Sequence, residues 1–357
     1  MGKAAREQLR RALNEHLNTI HETFQLLDQT PASSLEKTSW KEVIQMGEQI
    51  SKQATTVGML YTGDTPGVKA LEENMSSYFN LLQGFLLLSH GSSTGAGPTL
   101  SSYIDASVKQ VVDCSFKLLQ EAVSSYGSPN KAQGLTIPQL VGTVWNACSS
   151  LKKSPATNVT AIGRAMTKVA VSMKDVLREI KEFKPASDEV SVQSEDKSND
   201  CDDDDSFDGD LSSDLSPQEM KIVNLTITIV SETLVVIKEL VRSITGLLQK
   251  ESSDSCSISV DSLEKLLKLS QGIGVQVDEL GACLYPPQEL SAIKVALEKI
   301  TSFSNEMEIE LRKLDGFSDD FSKACIGLMN SLGVLEAELG CVCAGDLVPK
   351  LDNLSCK

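Results

Sequence analysis

The chain has 357 residues, a formal net charge of −16 at pH 7 and a sequence pI of about 4.7. A surface this acidic repels nucleic-acid phosphates and anionic lipid headgroups, so we expect neither direct nucleic-acid binding nor membrane binding. Hydrophobic residues make up 41% of the chain but aromatic residues only 4%, which predicts an aliphatic core between packed helices.

Helix-type spacing of apolar residues predicts about ten helices in chain order. Their expected ranges are 3–29, 36–62, 66–90, 99–126, 135–153, 157–184, 217–250, 260–284, 287–314 and 317–339. No segment of comparable length alternates with the period of a strand. The predicted fold class is therefore all-α, with long antiparallel helices in two bundle-like halves.

Five of these helices carry an apolar stripe with alternating three- and four-residue spacing. The most regular stripe consists of Val223, Ile227, Val230, Leu234, Ile237, Val241, Ile244 and Leu248. Such a stripe is either a zipper that pairs with a partner helix or the core seam of its own bundle. The stripes are broad, which favours the core seam.

Helix start signals support the same assignment. Ser216, Pro217 and Glu219 form a capping-box pattern, in which Ser216 caps the helix and Glu219 reaches back to the amide of Ser216. Weaker start signals are Ser33 with Glu36, Asp261 with Glu264, and Thr65 with Pro66.

An acidic segment interrupts the helical pattern. Between residues 194 and 210, nine acidic residues stand against one lysine, which gives half of the net negative charge. We expect disorder there because little apolar surface is available to offset the ordering entropy. The expected organisation is a helical bundle at 1–185, an acidic linker at 186–215, a second bundle at 216–340 and an irregular tail at 341–357.

The acidic segment has two interpretations, which the sequence leaves open. It is either a solvated linker, or a phosphorylation zone and contact for basic partner segments centred on Asp202, Asp203, Asp204 and Asp205. Ser216 is followed by proline, so it is a candidate phosphorylation site. We expect a phosphate at this N-cap position to favour the helix.

No catalytic or metal-binding pattern is found, and we expect no enzyme activity and no cofactor. Cys341 and Cys343, even with Cys356, lack the four matched ligands of a zinc site. His16 and His21 are five residues apart, which does not place them on one helix face.

The nine cysteines are scattered, and the first residues, MGKAAREQLRRAL, lack the apolar region of a secretory signal. We therefore expect reduced thiols and a location in the cytoplasm and nucleus. The longest apolar runs are too short to span a bilayer.

Two short segments, Arg11-Ala12-Leu13 and Arg312-Lys313-Leu314, match the R-x-L pattern that cyclin grooves bind. That pattern requires an exposed, extended chain. Because both leucines fall on apolar helix stripes, we interpret both matches as chance.

Four sequence clusters, in this order, resemble the Grap- and cyclin-D-interacting protein family, in a plant-like version. They are Ile50–Thr56 downstream of Trp40, with Ala54, Thr55 and Thr56; Val144–Cys148, with Trp145 and Cys148; Cys283–Pro287, with Tyr285, Pro286 and Pro287; and the acidic insert. The resemblance covers residues 36 to 314.

The resemblance implies helical bundles similar to those of vinculin and α-catenin. It also implies a regulator of the cell cycle and transcription in nucleus and cytoplasm, which binds and restrains D-type cyclins or helix–loop–helix factors. The motif residues are expected to be structural. The alternative function is a vinculin-like scaffold that links cytoskeletal or junction proteins. The oligomeric state is left open.

Overall fold

The computed structural model describes residues 2–31, 36–62, 67–126, 136–184, 215–248, 259–314 and 318–345. These residues form ten α-helices and no β-strand, which confirms the all-α prediction. The helices are α1 (Gly2–Gln29), α2 (Trp40–Thr62), α3 (Val68–Ser92), α4 (Pro98–Ser125), α5 (Ile137–Ser150), α6 (Asn158–Ile180), α7 (Pro217–Gly246), α8 (Val260–Cys283), α9 (Leu290–Lys313) and α10 (Asp319–Gly345).

Several helix boundaries differ from the predicted ones. Helix α2 begins at Trp40 rather than at residue 36, because the backbone N–H and the hydroxyl of Ser39 both donate to Glu42 Oε2 at 2.8 Å. Helix α8 is capped by Ser259, whose Oγ accepts from the Ser262 amide at 3.3 Å, so Asp261 lies inside the first turn. Ser33, Thr65 and Pro66 lie outside the described residues.

The end of the chain also differs from the prediction. Helix α10 continues to Gly345, so the expected irregular tail does not begin at residue 341. Residues 340–345 contain no proline and no charged residue up to Gly345, so the helix can continue through them.

The chain divides into two compact units, Met1–Ile162 and Gly163–Lys357. In the first unit, α2 packs against α3 and α5, α4 packs against α5, and α1 packs against α3 and α4. One continuous apolar cluster forms its core, with Tyr78, Phe79 and Phe85 among its largest fully buried side chains. In the second unit, α8 packs against α9 and α7 packs against α10.

The boundary between the units lies within α6, not near residue 185 as the sequence analysis expected. The reason is packing in the second unit. A Cβ atom added to Gly274 or Gly281 of α8 would lie 2.9 Å from a methyl carbon of Val169 or Val176, respectively. The two glycines therefore let α6 approach α8 closely.

The α7 stripe faces its own bundle, but it is rotated relative to the prediction. Val223, Val230, Ile237 and Ile244 are buried, whereas the other four predicted positions are only half-buried. Thr226 and Thr233 take their place in the core, and their hydroxyls donate to the carbonyls of Ile222 and Ile229 at 2.9 and 2.7 Å. Each buried hydroxyl is thereby hydrogen-bonded within the helix.

Two helices, α7 and the Asp319–Cys341 part of α10, are long and apolar enough to cross a membrane by length and composition alone. The expectation that every apolar stretch is too short is therefore wrong. The core helix of a bundle passes the same test, and 44% of the α7 window is buried within the structure.

Candidate interaction surfaces

The two tryptophans lie on the seam between α2 and α5 and have opposite environments. Trp40 is buried, and its indole N–H donates to the Leu151 carbonyl at 3.0 Å. Trp145 is 45% exposed, and its indole N–H donates to Thr55 Oγ1 at 3.1 Å and to the Ser51 carbonyl at 3.3 Å. Trp145 is thus an exposed aromatic side chain whose orientation is fixed by hydrogen bonds.

Small residues of α2 bring the two helices together. A Cβ atom added to Gly47 would lie 2.5 Å from Leu151 Cδ1, and one added to Gly58 would lie 2.9 Å from Val141 Cγ2. Ala54, between these glycines, is completely buried. A larger side chain at either glycine would force the Leu151 or the Val141 side chain to move.

The remaining motif residues of unit 1 have structural environments. Thr55 donates to the Ser51 carbonyl at 3.1 Å and so presents its oxygen to Trp145, whereas the exposed Thr56 only bonds back to the Lys52 carbonyl. Burial raises the pKa of the Cys148 thiol to about 12, which keeps it protonated and unreactive at neutral pH.

The third motif cluster forms a corner of unit 2. The Tyr285 hydroxyl donates to Glu179 Oε1 at 2.8 Å, and its ring meets the Phe183 ring edge-on at a centroid distance of 4.9 Å. The hydrogen bond to Glu179 raises the pKa of Tyr285. Pro286 and Pro287 are exposed and are joined by a cis peptide bond. Through these contacts of Tyr285, the end of α8 packs against the end of α6.

A groove runs along α1 and α4 of unit 1. One cleft of about 590 Å³ is lined by Leu17, Ile20 and Phe24 of α1 and by Val108, Val112 and Phe116 of α4. A second cleft of about 1180 Å³ is lined mostly by polar and charged side chains, together with Leu13 and Leu17 of α1 and Val123 of α4. Because the clefts share Leu17, we treat them as one surface, the α1–α4 groove. Leu13, Ile20, Val108, Val112 and Val123 belong to the core and form the base of the groove, whereas Leu17, Phe24 and Phe116 are only half-buried. The spacing of apolar residues in α1 could not show that Leu17 and Phe24 stay partly uncovered.

The predicted capping box at Ser216 is confirmed. Ser216 Oγ accepts from the Glu219 amide at 3.3 Å, and the Ser216 backbone N–H and hydroxyl donate to Glu219 Oε2 at 2.9 and 2.7 Å. The expectation that a phosphate here favours the helix did not take account of the Glu219 carboxylate, which lies 2.7 Å from the Ser216 hydroxyl. A phosphate would carry nearly two negative charges beside that carboxylate and would open the box, which opposes the expected gain from the helix dipole. Asp202 to Asp205 lie outside the described residues.

We expect Ser216→Ala to lower the free energy of unfolding by about 1 kcal/mol, because the first turn of α7 loses its cap. Urea unfolding followed by circular dichroism measures this change. Thr228→Ala is the matched control, since Thr228 is exposed on the same helix and bonds only to the Asn224 carbonyl. Alanine is the better helix former at that position, so the control should be neutral or slightly stabilising. Equal losses in both variants would contradict the prediction.

Among the described residues, no group of three or more His, Cys, Asp or Glu side chains is placed to hold a metal ion. Cys356 and the side chain of Cys343 fall outside those residues. His16 stacks on Phe79 at a centroid distance of 4.9 Å, and burial lowers its pKa. His90 Nε2 lies 2.8 Å from the Thr30 carbonyl. The described part of unit 1 uses these two histidines in packing and hydrogen bonding.

Neither R-x-L segment is an exposed extended chain. Leu13 is buried in α1. Leu314 follows directly after α9 and is half-buried, and Arg312 is paired with Glu308 at 2.6 Å. Both matches therefore have the helical context that the sequence analysis expected.

The fold and these surfaces define a class: an all-α protein of packed helical bundles that presents a fixed aromatic side chain and an apolar groove. Residues 42–186 match the N-terminal part, and residues 200–309 the C-terminal part, of the family described as Grap2 and cyclin-D-interacting. The chain belongs to this family, as the resemblance indicated.

A curated relative supports the same assignment. The cyclin-D1-binding protein 1 homolog of Xenopus laevis is 20% identical over 268 residues, which cover 74% of this chain and 76% of the relative. The residues that match the family begin in α2 and end in α9, so α1 lies outside them.

Proposed function

We propose that this protein binds a D-type cyclin or a helix–loop–helix transcription factor and thereby restrains cell-cycle progression or transcription. Family membership and the name of the Xenopus laevis relative support a cyclin partner. The observation that carries the proposal is Trp145, a family-motif residue that is exposed and held in one orientation. Tryptophan is strongly enriched among residues that dominate binding energy at protein interfaces.

We further propose that the protein acts in the cytoplasm and nucleus without catalysing a reaction. The cysteines Cys114, Cys148, Cys283, Cys325 and Cys341 are free thiols. Free thiols are typical of reducing compartments. Ser216 remains a candidate regulatory site, and its modification would act by opening the cap of α7.

We expect Trp145→Ala to weaken binding to a purified D-type cyclin at least about tenfold, because a preoriented aromatic contact is lost. Isothermal titration calorimetry with the full-length chain measures the affinity. Leu87→Ala is the matched control, since Leu87 is 46% exposed on α3 and lies outside the α2–α5 seam. This control should bind the cyclin as the unchanged protein does.

Failure of the unchanged protein to bind either a D-type cyclin or a helix–loop–helix factor would refute the proposed function. Co-sedimentation with actin filaments in the same preparation would then favour the scaffold alternative.

A further inference from the structure

The α1–α4 groove has length as well as apolar lining. Its two clefts pair the start of α1 with the end of α4, and the end of α1 with the start of α4, so the two helices run antiparallel. The lining residues on α1 extend from Lys3 to Asp28. At 1.5 Å per residue this distance is about 38 Å, or about seven helical turns.

The two ends of the groove carry opposite charge. The end at the start of α1 has three cations against one anion, namely Lys3, Arg6 and Arg10 against Glu7. The other end has three anions against one cation, namely Asp28, Asp105 and Asp113 against Lys109. Burial and the nearby Asp28 carboxylate raise the pKa of Asp105, whereas His90 lowers it.

We propose that the α1–α4 groove binds an amphipathic partner helix whose first turns are acidic and whose last turns are basic. The partner helix lies parallel to α1, with its acidic start beside Lys3 and Arg10 and its basic end beside Asp28 and Asp105. This inference rests on the proposed function, since it names the surface and the chemistry of a protein partner. The family match does not assign it, because α1 lies outside the matched residues.

The direction of the partner helix follows from two physical rules. Acidic residues at the start of a helix and basic residues at its end stabilise that helix through its own macrodipole, so this order is the more stable one in a free amphipathic helix. Charges at the rim of an interface fix register and orientation more than they add affinity. The half-buried Leu17 and Phe24 provide apolar contact for an i, i+3, i+4, i+7 stripe.

The probe is a synthetic, fluorescein-labelled helix of about 21 residues with a leucine stripe, glutamates in the first two turns and lysines in the last two. A second peptide has the same composition with its charges alternating along the chain. Fluorescence anisotropy with the full-length protein should show that the polarised peptide binds about tenfold more tightly than the alternating one, with a difference that shrinks as salt is added.

The double variant Lys3→Glu/Arg10→Glu should weaken binding of the polarised peptide about tenfold. Lys41→Glu, tested alone and in combination with Lys52→Glu, is the control for reversed charge outside the groove. Both lysines are exposed on α2 and line neither cleft of the groove. The control variants should retain the affinity of the unchanged protein. A photo-cross-linker at the acidic end of the peptide should label residues 3–14.

Several results would overturn the inference: no binding of the polarised peptide, equal binding by the double variant, or cross-links at the Asp28 end. A dimer of the unchanged protein that Leu17→Glu dissociates would assign the groove to a second copy instead. If the peptide experiment fails but a D-type cyclin still binds the protein, the groove proposal is wrong and the proposed function stands. Conversely, peptide binding without cyclin or helix–loop–helix binding refutes the proposed function alone.

Discussion

Trp40→Ala should lower the free energy of unfolding of unit 1 by about 3–5 kcal/mol. Trp40 is 8% exposed and begins α2, and its indole N–H contacts Leu151, the residue that follows α5. Its replacement removes a large apolar volume and the indole hydrogen bond to the Leu151 carbonyl. The same carbonyl still accepts from the Ser154 amide at 3.2 Å, so it is not left without a donor. Most of the loss therefore comes from the cavity.

Trp40→Phe separates the effect of the lost apolar volume from that of the lost indole hydrogen bond. It should lower the free energy of unfolding by about 1–2 kcal/mol. Both tryptophans of the chain lie in unit 1, so urea unfolding followed by the fluorescence of Trp145 reports on unit 1 in either variant. Leu26→Ala is the control, because Leu26 is 64% exposed and its truncation should change stability by less than about 0.5 kcal/mol. A loss below about 1 kcal/mol for Trp40→Ala would show that Trp40 does not hold α2 to α5.

Glu310→Gln should lower the free energy of unfolding of unit 2 by about 2–3 kcal/mol at pH 7. Glu310 is 4% exposed and lies 3.3 Å from Lys265 Nζ of α8 and 2.9 Å from Lys313 Nζ. Burial alone would raise the pKa of this carboxyl group. Hydrogen bonds from Ser262, Lys313 and Lys265 outweigh burial and lower the pKa to about 2.

The pH dependence of this effect has a definite sign. The folded-state pKa of Glu310 lies below its ordinary value of 4.5, so the stabilisation is present above pH 4.5 and is lost as the pH falls towards 2. The difference between Glu310→Gln and the unchanged protein should therefore fall below about 1 kcal/mol at pH 2.5. Urea unfolding followed by circular dichroism at both pH values measures it.

Glu306→Gln is the matched control for Glu310→Gln. Glu306 lies on the same helix and approaches the same Lys265 at 3.8 Å, but its side chain is 46% exposed. Solvent screens such a pair, so the control should cost less than about 1 kcal/mol at either pH. An equal loss of unfolding free energy in both variants would mean that the burial of Glu310 does not strengthen its interaction with the lysines.

The sequence predicted those features that depend on neighbours along the chain. Apolar spacing located all ten described helices, and the Ser216 capping box was correct in each hydrogen bond because both partners lie within three residues. Val43, Ile50 and Val57 in α2 also follow this spacing, and all three are fully buried.

Features that depend on distant partners could not be predicted. Trp40 and Trp145 are the same residue type, and only the packing of α5 on α2 makes one buried and the other exposed. The predicted α7 stripe left out Thr226 and Thr233 because threonine is polar. Both are buried, since their hydroxyls bond within the helix, and the predicted stripe was therefore rotated away from the true core face. Glu310 looked like an ordinary charged position, since its lysine partner on α8 is 45 residues away in sequence.

Helix α6 makes this protein hard to divide. Its first residue, Asn158, bonds to the backbone of Gly95 and Gly97 in unit 1, at 2.9 and 2.7 Å, while Val169 and Val176 fit against glycines of α8. A protease or a gene recombination that separated the chain near residue 186 would strip α8 of this cover and leave an apolar helix face in water on the first fragment. The two regions of the family are therefore expected to be inherited together, and neither is a freely exchangeable module.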